Sequence, residues 1–143
     1  MRWLLNLYPP YLGAGVHIDS ISRDWRELTV SMPLRFYNRN YVGSHFGGSL
    51  YSMIDPHLML LLLKLLGKQY LVWDYEAHIR FKKPGKGRVR AHFKIQDEDL
   101  ETIKSQTESG HKYLHTFDIP ILDPQGETVA EAEKTLYFRL KRH

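Results

Sequence analysis

The chain contains no cysteine among its 143 residues. That excludes disulfides, a thiol nucleophile and thiolate metal sites, though it fixes no compartment. A long hydrophobic run is also missing. Residues 58–63 are apolar throughout but far too few to span a bilayer, and Asp55 and Lys64 flank them. The opening M-R-W-L-L-N-L-Y-P-P is broken by Asn6 and by Pro9-Pro10, too soon for the core of a secretory signal. It predicts a short amphipathic helix packed on the body. These absences lead us to expect a soluble, cytoplasmic protein without a membrane span. The eight histidines lack the paired spacing that a zinc site uses, so no metal is expected. No helix-turn-helix or base-stacking motif accompanies the basic residues, so nucleic acid is not an expected partner. Nothing in the sequence asks for a cofactor.

What is present is a single-domain composition. Hydrophobic residues make up 43% and charged residues 25%, ordinary for a globular chain that buries one core. No linker or repeat divides residues 1–143. A net charge of +4 favours anionic partners without naming one.

Period-two alternation predicts six strands. They fall at about residues 16–23, 28–36, 71–82, 89–96, 113–121 and 129–140. In the third, Leu71, Trp73, Tyr75, Ala77, Ile79 and Phe81 form the apolar face, and Asp74 lies on the polar one. In the sixth, Ala130, Ala132, Leu136, Phe138 and Leu140 share a face. Pro84-Gly85 and Asp123-Pro124-Gln125-Gly126 read as hairpin turns. Between the second and third strands a long helix is expected over residues 46–66, ended by Gly67. Its apolar stretch at 58–63 has no polar side, so it must be covered nearly all round. The fold class is therefore α+β: a curved six-stranded antiparallel sheet wrapped around one central helix. A second copy of the chain would cover what remains.

The densest chemistry lies in N-Y-V-G-S-H-F-G-G-S-L-Y-S-M-I-D, residues 40–55. Gly47 and Gly48 open the helix, where backbone N–H groups can approach a carbonyl oxygen. Close helix–strand packing would also demand glycine. Asp55 is a lone acid inside an apolar helix, costly unless paired or used. It suits a general base. Asp-Pro is equally an N-cap with proline at the first helical position. Pro56 should kink the helix. Asn40 can hold a carbonyl or a water, or serve the turn at 38–40. His45 can face a pocket or solvent. His57, two residues from Asp55, points to nearly the opposite side of a helix. Asp74 either orients water or is a solvated strand charge. Lys82, Lys83, Lys86, Arg88 and Arg90 gather around one turn, as a phosphate site or as a solvated hairpin.

The element order resembles the hotdog fold. The phenylacetate-pathway type of acyl-CoA thioesterase carries Asn, two residues, Gly, two residues, His-Gly-Gly, then a catalytic Asp seven residues on. Asn40, Gly43, Gly47, Gly48 and Asp55 match that spacing without a gap. The stretch I-R-F-K-K-P-G-K-G-R, residues 79–88, looks like the strand and turn that follow the substrate-lining residues there. The whole sequence is similar to a thioesterase-like branch of that superfamily. The chain departs from the pattern at Phe46, where the family has histidine, at Asp74, where some members have Ser or Thr, and at Pro56 after the acid.

The resemblance implies hydrolysis of an acyl-CoA or acyl-carrier thioester. Asp55 would act as base or nucleophile, with Gly47, Gly48 and Asn40 completing the catalytic set. Substrate would contact His45, Phe46, Tyr51, Met59, Trp73 and Asp74, and the phosphates of coenzyme A would contact Lys82, Lys83, Lys86 and Arg88. An apolar acyl tunnel is expected near Tyr51, Met53, Met59 and Trp73. A homodimer or dimer of dimers is expected, with sites at the subunit boundary. Two other functions fit the same fold: a non-catalytic acyl-thioester or lipid-binding protein, and a hydratase or dehydratase that recruits His45.

Overall fold

A computed structural model describes residues 1–142. Two short helices, α1 (Arg2–Asn6) and α2 (Pro9–Ala14), lead into β1 (His17–Ile21) and β2 (Glu27–Met32). Then come α3 (Gly47–Ser52), α4 (His57–Leu66), β3 (Tyr70–Phe81), β4 (Val89–Lys94), α5 (Asp97–Thr107), β5 (Tyr113–Leu122) and β6 (Thr128–Leu140). The strands form one antiparallel six-stranded sheet in the order β1-β2-β4-β5-β6-β3. The expected α+β architecture is present. Leu58, Leu61 and Leu62 of α4 are at most 2% exposed and pack among Val30, Phe93, Ile119, Leu136 and Phe138 of the sheet. Each such leucine contributes about 1.5–3 kcal/mol by leaving water.

Four features differ from the sequence reading. The central helix is two helices rather than one over 46–66. Proline has no N–H to continue the α3 ladder. The chain turns at 53–56, through a cis Asp55–Pro56 peptide, and the first bond of α4 runs from Leu60 N to the Pro56 carbonyl, 3.1 Å. The segment Gly47–Leu66 is long and apolar enough to cross a membrane, but it is interrupted here and half of it is buried in the fold.

Second, the N-terminus forms two helices, because Pro9-Pro10 ends one and starts the next. Third, α5 was not anticipated. Its signals are Gln96 and Asp99, which form a capping box, an acidic first turn, and buried Leu100, Ile103 and Thr107 at helical spacing. Fourth, Pro84-Gly85 is a turn but not a hairpin turn. β3 pairs with β6 and β4 with β2 and β5, so the turn carries the chain from one sheet edge to the interior. The Asp123–Gly126 turn does close a hairpin, with Asp123 N to Glu127 O at 2.8 Å and Gly126 at φ +81°.

The two sheet edges are unlike. At β1 the Asn6 side chain accepts from Ile18 N at 2.7 Å and donates to Ile18 O at 3.2 Å, and Arg2 donates to Asp19 O at 2.7 Å. Helix α1 thus occupies that edge. β3 is twelve residues long and carries the half-exposed side chains of Leu71, Trp73 and Tyr75.

Candidate functional site

The centre of the site is a residue the sequence reading passed over. Lys134 stands on β6 in phase with Ala132, Leu136 and Phe138, the face turned to the helices. Its side chain is 1% exposed. The ammonium lies 3.3 Å from Asp55 Oδ1, 3.3 Å from Asp74 Oδ2 and 3.3 Å from Tyr51 Oη. A buried ammonium needs such partners, because isolated burial of a charge is prohibitive. Burial pushes its pKa down, but the facing Asp74 and Asp55 carboxylates outweigh this and hold it above the usual lysine range.

Asp55 reaches Lys134 because of the break in the helix. Tyr51 O accepts from Ile54 N at 2.8 Å and Asp55 N at 3.3 Å, closing a turn that aims the acid toward β6. Asp55 does not cap α4: the N-cap residue is Pro56, without a side-chain cap bond. The Asp55 side chain remains 49% exposed, so solvent reaches it. Behind the break, Tyr11 Oη lies 2.8 Å from His57 Nε2 and 3.2 Å from the Asp55 carbonyl oxygen. His57 is fully buried, and burial pushes its pKa down to about 4.

Asp74 is turned inward, contrary to the expectation of a solvated strand charge. The reason is a β-bulge. Asp74 pairs with Leu136 and Glu76 with Thr135, so Tyr75 is an extra residue. The alternation therefore changes phase at that point. Tyr70, Val72 and Asp74 face the helices before the bulge, and Ala77, Ile79 and Phe81 after it. Burial and then the nearby Asp55 carboxyl raise the Asp74 pKa, and Lys134 offsets this only in part. Its Oδ1 is buried without a hydrogen-bond partner. Trp73, expected to line an acyl tunnel, is on the outer face instead, stacked on Tyr137 with ring centroids 4.0 Å apart. Met53 is fully buried core, and Met59 packs against that core. Tyr51, Met53, Met59 and Trp73 therefore line no common tunnel.

Both helix glycines carry aromatic rings. A Cβ at Gly47 would lie 3.0 Å from the Phe81 ring of β3, and one at Gly48 would lie 2.8 Å from the Phe46 ring. The close helix–strand approach is at Gly47, against Phe81 of β3, whereas the ring near Gly48 is the end of the Phe46 side chain two residues earlier. Phe46 itself is 56% exposed. Asn40 is used within its own loop: its Oδ1 accepts from Val42 N and Ser44 N, each at 3.1 Å, and its Nδ2 donates to Ser44 Oγ at 3.0 Å. His45 is buried with Nε2 2.7 Å from the Gly87 carbonyl, so it ties this loop to the turn at 84–88. Burial lowers its pKa.

The basic residues do not assemble into an open anion site. Lys82 pairs with Glu131 at 3.6 Å, and Lys83 with Asp123 at 2.9 Å and with Glu127. Arg88 donates to Ser31 Oγ at 2.9 Å. Lys86 and Arg90 are exposed. Strand pairing across the sheet brings acids from β6 and the 123–127 turn next to these lysines. No group of three or more His, Asp or Glu side chains suited to a metal ion occurs among the described residues.

Comparison with known proteins gives the same architecture. A protein of unknown function from Pseudomonas aeruginosa, called a probable thioesterase, is 22% identical with a TM-score of 0.83, covering 98% of this chain and 93% of its own. A protein of unknown function from Chlorobaculum tepidum is 18% identical with a TM-score of 0.76 (98% and 91% covered). A thioesterase from Haemophilus influenzae is 14% identical with a TM-score of 0.69 (98% and 90% covered). The shared fold is the hotdog fold. No curated protein matches the sequence. Residues 1–138 match the family described as "Domain of unknown function (DUF4442)", and the chain belongs to that family.

Proposed function

We propose that this protein hydrolyses an acyl thioester, carried on coenzyme A or on a carrier protein, with Asp55 as the general base. The observation that carries the reading is a half-exposed carboxylate at the break of the central helix, held by a buried lysine. Lys134 fixes Asp55 through Oδ1 while the side chain stays open to water. In this reading Asp55 takes a proton from a water that attacks the thioester carbonyl. The backbone N–H groups of Gly47 and Gly48 receive the developing oxyanion, a contact worth about 2.7–4 kcal/mol per donor in a transition state. The thiolate then leaves, with little need for acid help. Tyr51 and Asp74 share the Lys134 ammonium and hold it in register. Asn40 and His45 have structural duties here, which leaves Asp55 as the acid–base group of the segment. The thioesterase named among the structures of the same fold supports the reading.

The test is turnover of a panel of acyl-CoA thioesters, followed by release of free thiol. Asp55→Asn keeps the shape and removes the base, so hydrolysis should fall by about 10²-fold or more with the fold intact. Full activity in that variant defeats the assignment. A non-catalytic acyl-thioester binder remains the second reading, favoured by Phe46 in place of the family histidine. It predicts binding of the same panel without thiol release.

The assembly we propose is a dimer through β3. The β1 edge is occupied by Asn6 and Arg2, whereas β3 offers a long unpaired edge of the kind that recruits another strand. Such pairing would place Asp74 and the Asp55 cluster near the subunit boundary. Sedimentation should show a dimer at micromolar concentration, and a proline at Trp73 on this edge should yield monomer. A parent protein that sediments only as monomer rules the arrangement out.

A further inference from the structure

Along α4, from Leu60 to the residues that follow the helix at Gly67 and Lys68, lies a cavity of about 500 Å³. That size falls within the range of about 300–1,000 Å³ typical of small-molecule sites. Its walls are apolar: Leu5 of α1, Trp25 of the β1–β2 turn, Leu60 of α4 and Tyr70 of β3. Lys64, Lys68 and Lys141 stand at its margin, and no acidic residue lines it. Lys82 and Lys83 sit beside carboxylates, whereas Lys64, Lys68 and Lys141 have no Asp or Glu partner among the described residues and line the same cavity. The Lys64 ammonium is 5.1 Å from the Trp25 ring centroid, so it leans over the apolar wall.

Trp25 adds an independent observation. It is the one non-glycine residue at positive φ, +62°, among the described residues. Bulky side chains rarely adopt that conformation, and it persists only where surrounding bonds enforce it. The turn does so: Arg26 N donates to Ser22 Oγ and to Asp24 Oδ1, each at 3.1 Å, and Glu27 N donates to Ser22 Oγ at 2.9 Å. The effect is to hold an indole against the cavity rather than in solvent.

We infer that this cavity binds an anionic amphiphile, a fatty carboxylate whose chain lies against Leu5, Trp25 and Leu60 and whose head meets Lys64, Lys68 and Lys141. The site is separate from the Asp55 cluster, and the inference does not depend on hydrolysis. Trp25 supplies the reporter. In a Trp3→Phe/Trp73→Phe background its emission is titrated with octanoate, decanoate and dodecanoate below their micelle concentrations, with decanol as the uncharged control. Calorimetry on the parent protein checks the same ligands. Affinity should rise by about fourfold per added methylene until the cavity is full. Decanoate should bind about tenfold more tightly than decanol, and Lys68→Glu/Lys141→Glu should erase that preference. Leu60→Trp should fill the cavity and abolish binding, and Asp55→Asn should bind decanoate as the parent does. The charge-reversed lysines are exposed, so that variant keeps the test alive if Leu60→Trp does not fold. Absence of saturable decanoate binding overturns the inference. So does equal binding of decanol with no effect of charge reversal, or a parent dimer that Leu60→Trp dissociates, which would assign the cavity to a second copy of the chain.

Discussion

Replacing Lys134 with methionine should destabilise the protein by about 3 kcal/mol at pH 8, the low end of the cost of removing one partner from a buried ion pair. Methionine fills much of the lysine stem, so the loss isolates the charge rather than a cavity. It leaves Asp74, 25% exposed, facing Asp55, 49% exposed, with no cation between them. Solvent at Asp55 is why the low end applies. Burial and the Asp55 carboxyl already raise the Asp74 pKa with the lysine present, and without it the rise must be larger. A carboxyl whose folded pKa lies above its unfolded value binds more protons when folded. Stability then falls as pH rises through that range and recovers on acidification. The defect in Lys134→Met should therefore shrink between pH 8 and pH 5. Adding Asp74→Asn should restore a large part of the loss, because no unpaired acid then remains beside Asp55. Urea denaturation of the two variants across that range is the measurement. A Lys134→Met protein as stable as the parent at pH 8 would mean that the cluster is solvated in solution.

Acid should weaken the parent protein through His57. Its pKa is pushed from the ordinary 6.5 down to about 4 by burial, the nearby Lys134 adding a little in the same direction. When the chain unfolds the imidazole regains its usual affinity for a proton. Between pH 6.5 and pH 4 the unfolded state thus binds the extra proton, and folding stability declines as pH falls through that window. A gap of that size corresponds to about 3 kcal/mol, lost in full below pH 4. His45, also lowered by burial, contributes with the same sign. The diagnostic is the difference between parent and His57→Gln in urea midpoints from pH 7 to pH 4. The glutamine variant should be less stable at pH 7, where the Tyr11 bond is disturbed, yet flatter toward acid. Parallel pH profiles for the two proteins would show that His57 is not the group responsible.

Much of the architecture was legible because the hydrophobic effect writes itself locally. Alternation located all six strands within a few residues, and an apolar stretch at 58–63 demanded a helix buried by a curved sheet. Glycine and proline marked ends that the structure keeps, including Gly67 after α4 at φ +83°. The α5 helix was legible too, in Gln96, the acidic run 97–99 and the spacing of Leu100 and Ile103. The site was less legible. Lys134 interrupts the face of Ala132 and Leu136, and that interruption was its one local trace. A lysine in an apolar phase makes sense only when its partners are known, and these come from residues 51, 55 and 74, on other elements of the chain.

The sequence by itself determined the class of fold, the order of the six strands around a central helical segment and a bend at Pro56, and it singled out Asp55 as the candidate acid. These follow from periodicity, from the missing N–H of proline and from the cost of a lone acid in an apolar segment. Tertiary structure decided which side each β3 residue faces, because a single bulged residue at Tyr75 reverses the phase, and no pattern of period two shows where it slips. It decided that Lys82 and Lys83 meet carboxylates, because strand order rather than sequence distance makes them neighbours of Glu131, Asp123 and Glu127. It also placed a buried ammonium between Asp55 and Asp74. Charge pairing acts through space over a few ångströms, and only the folded chain sets those distances.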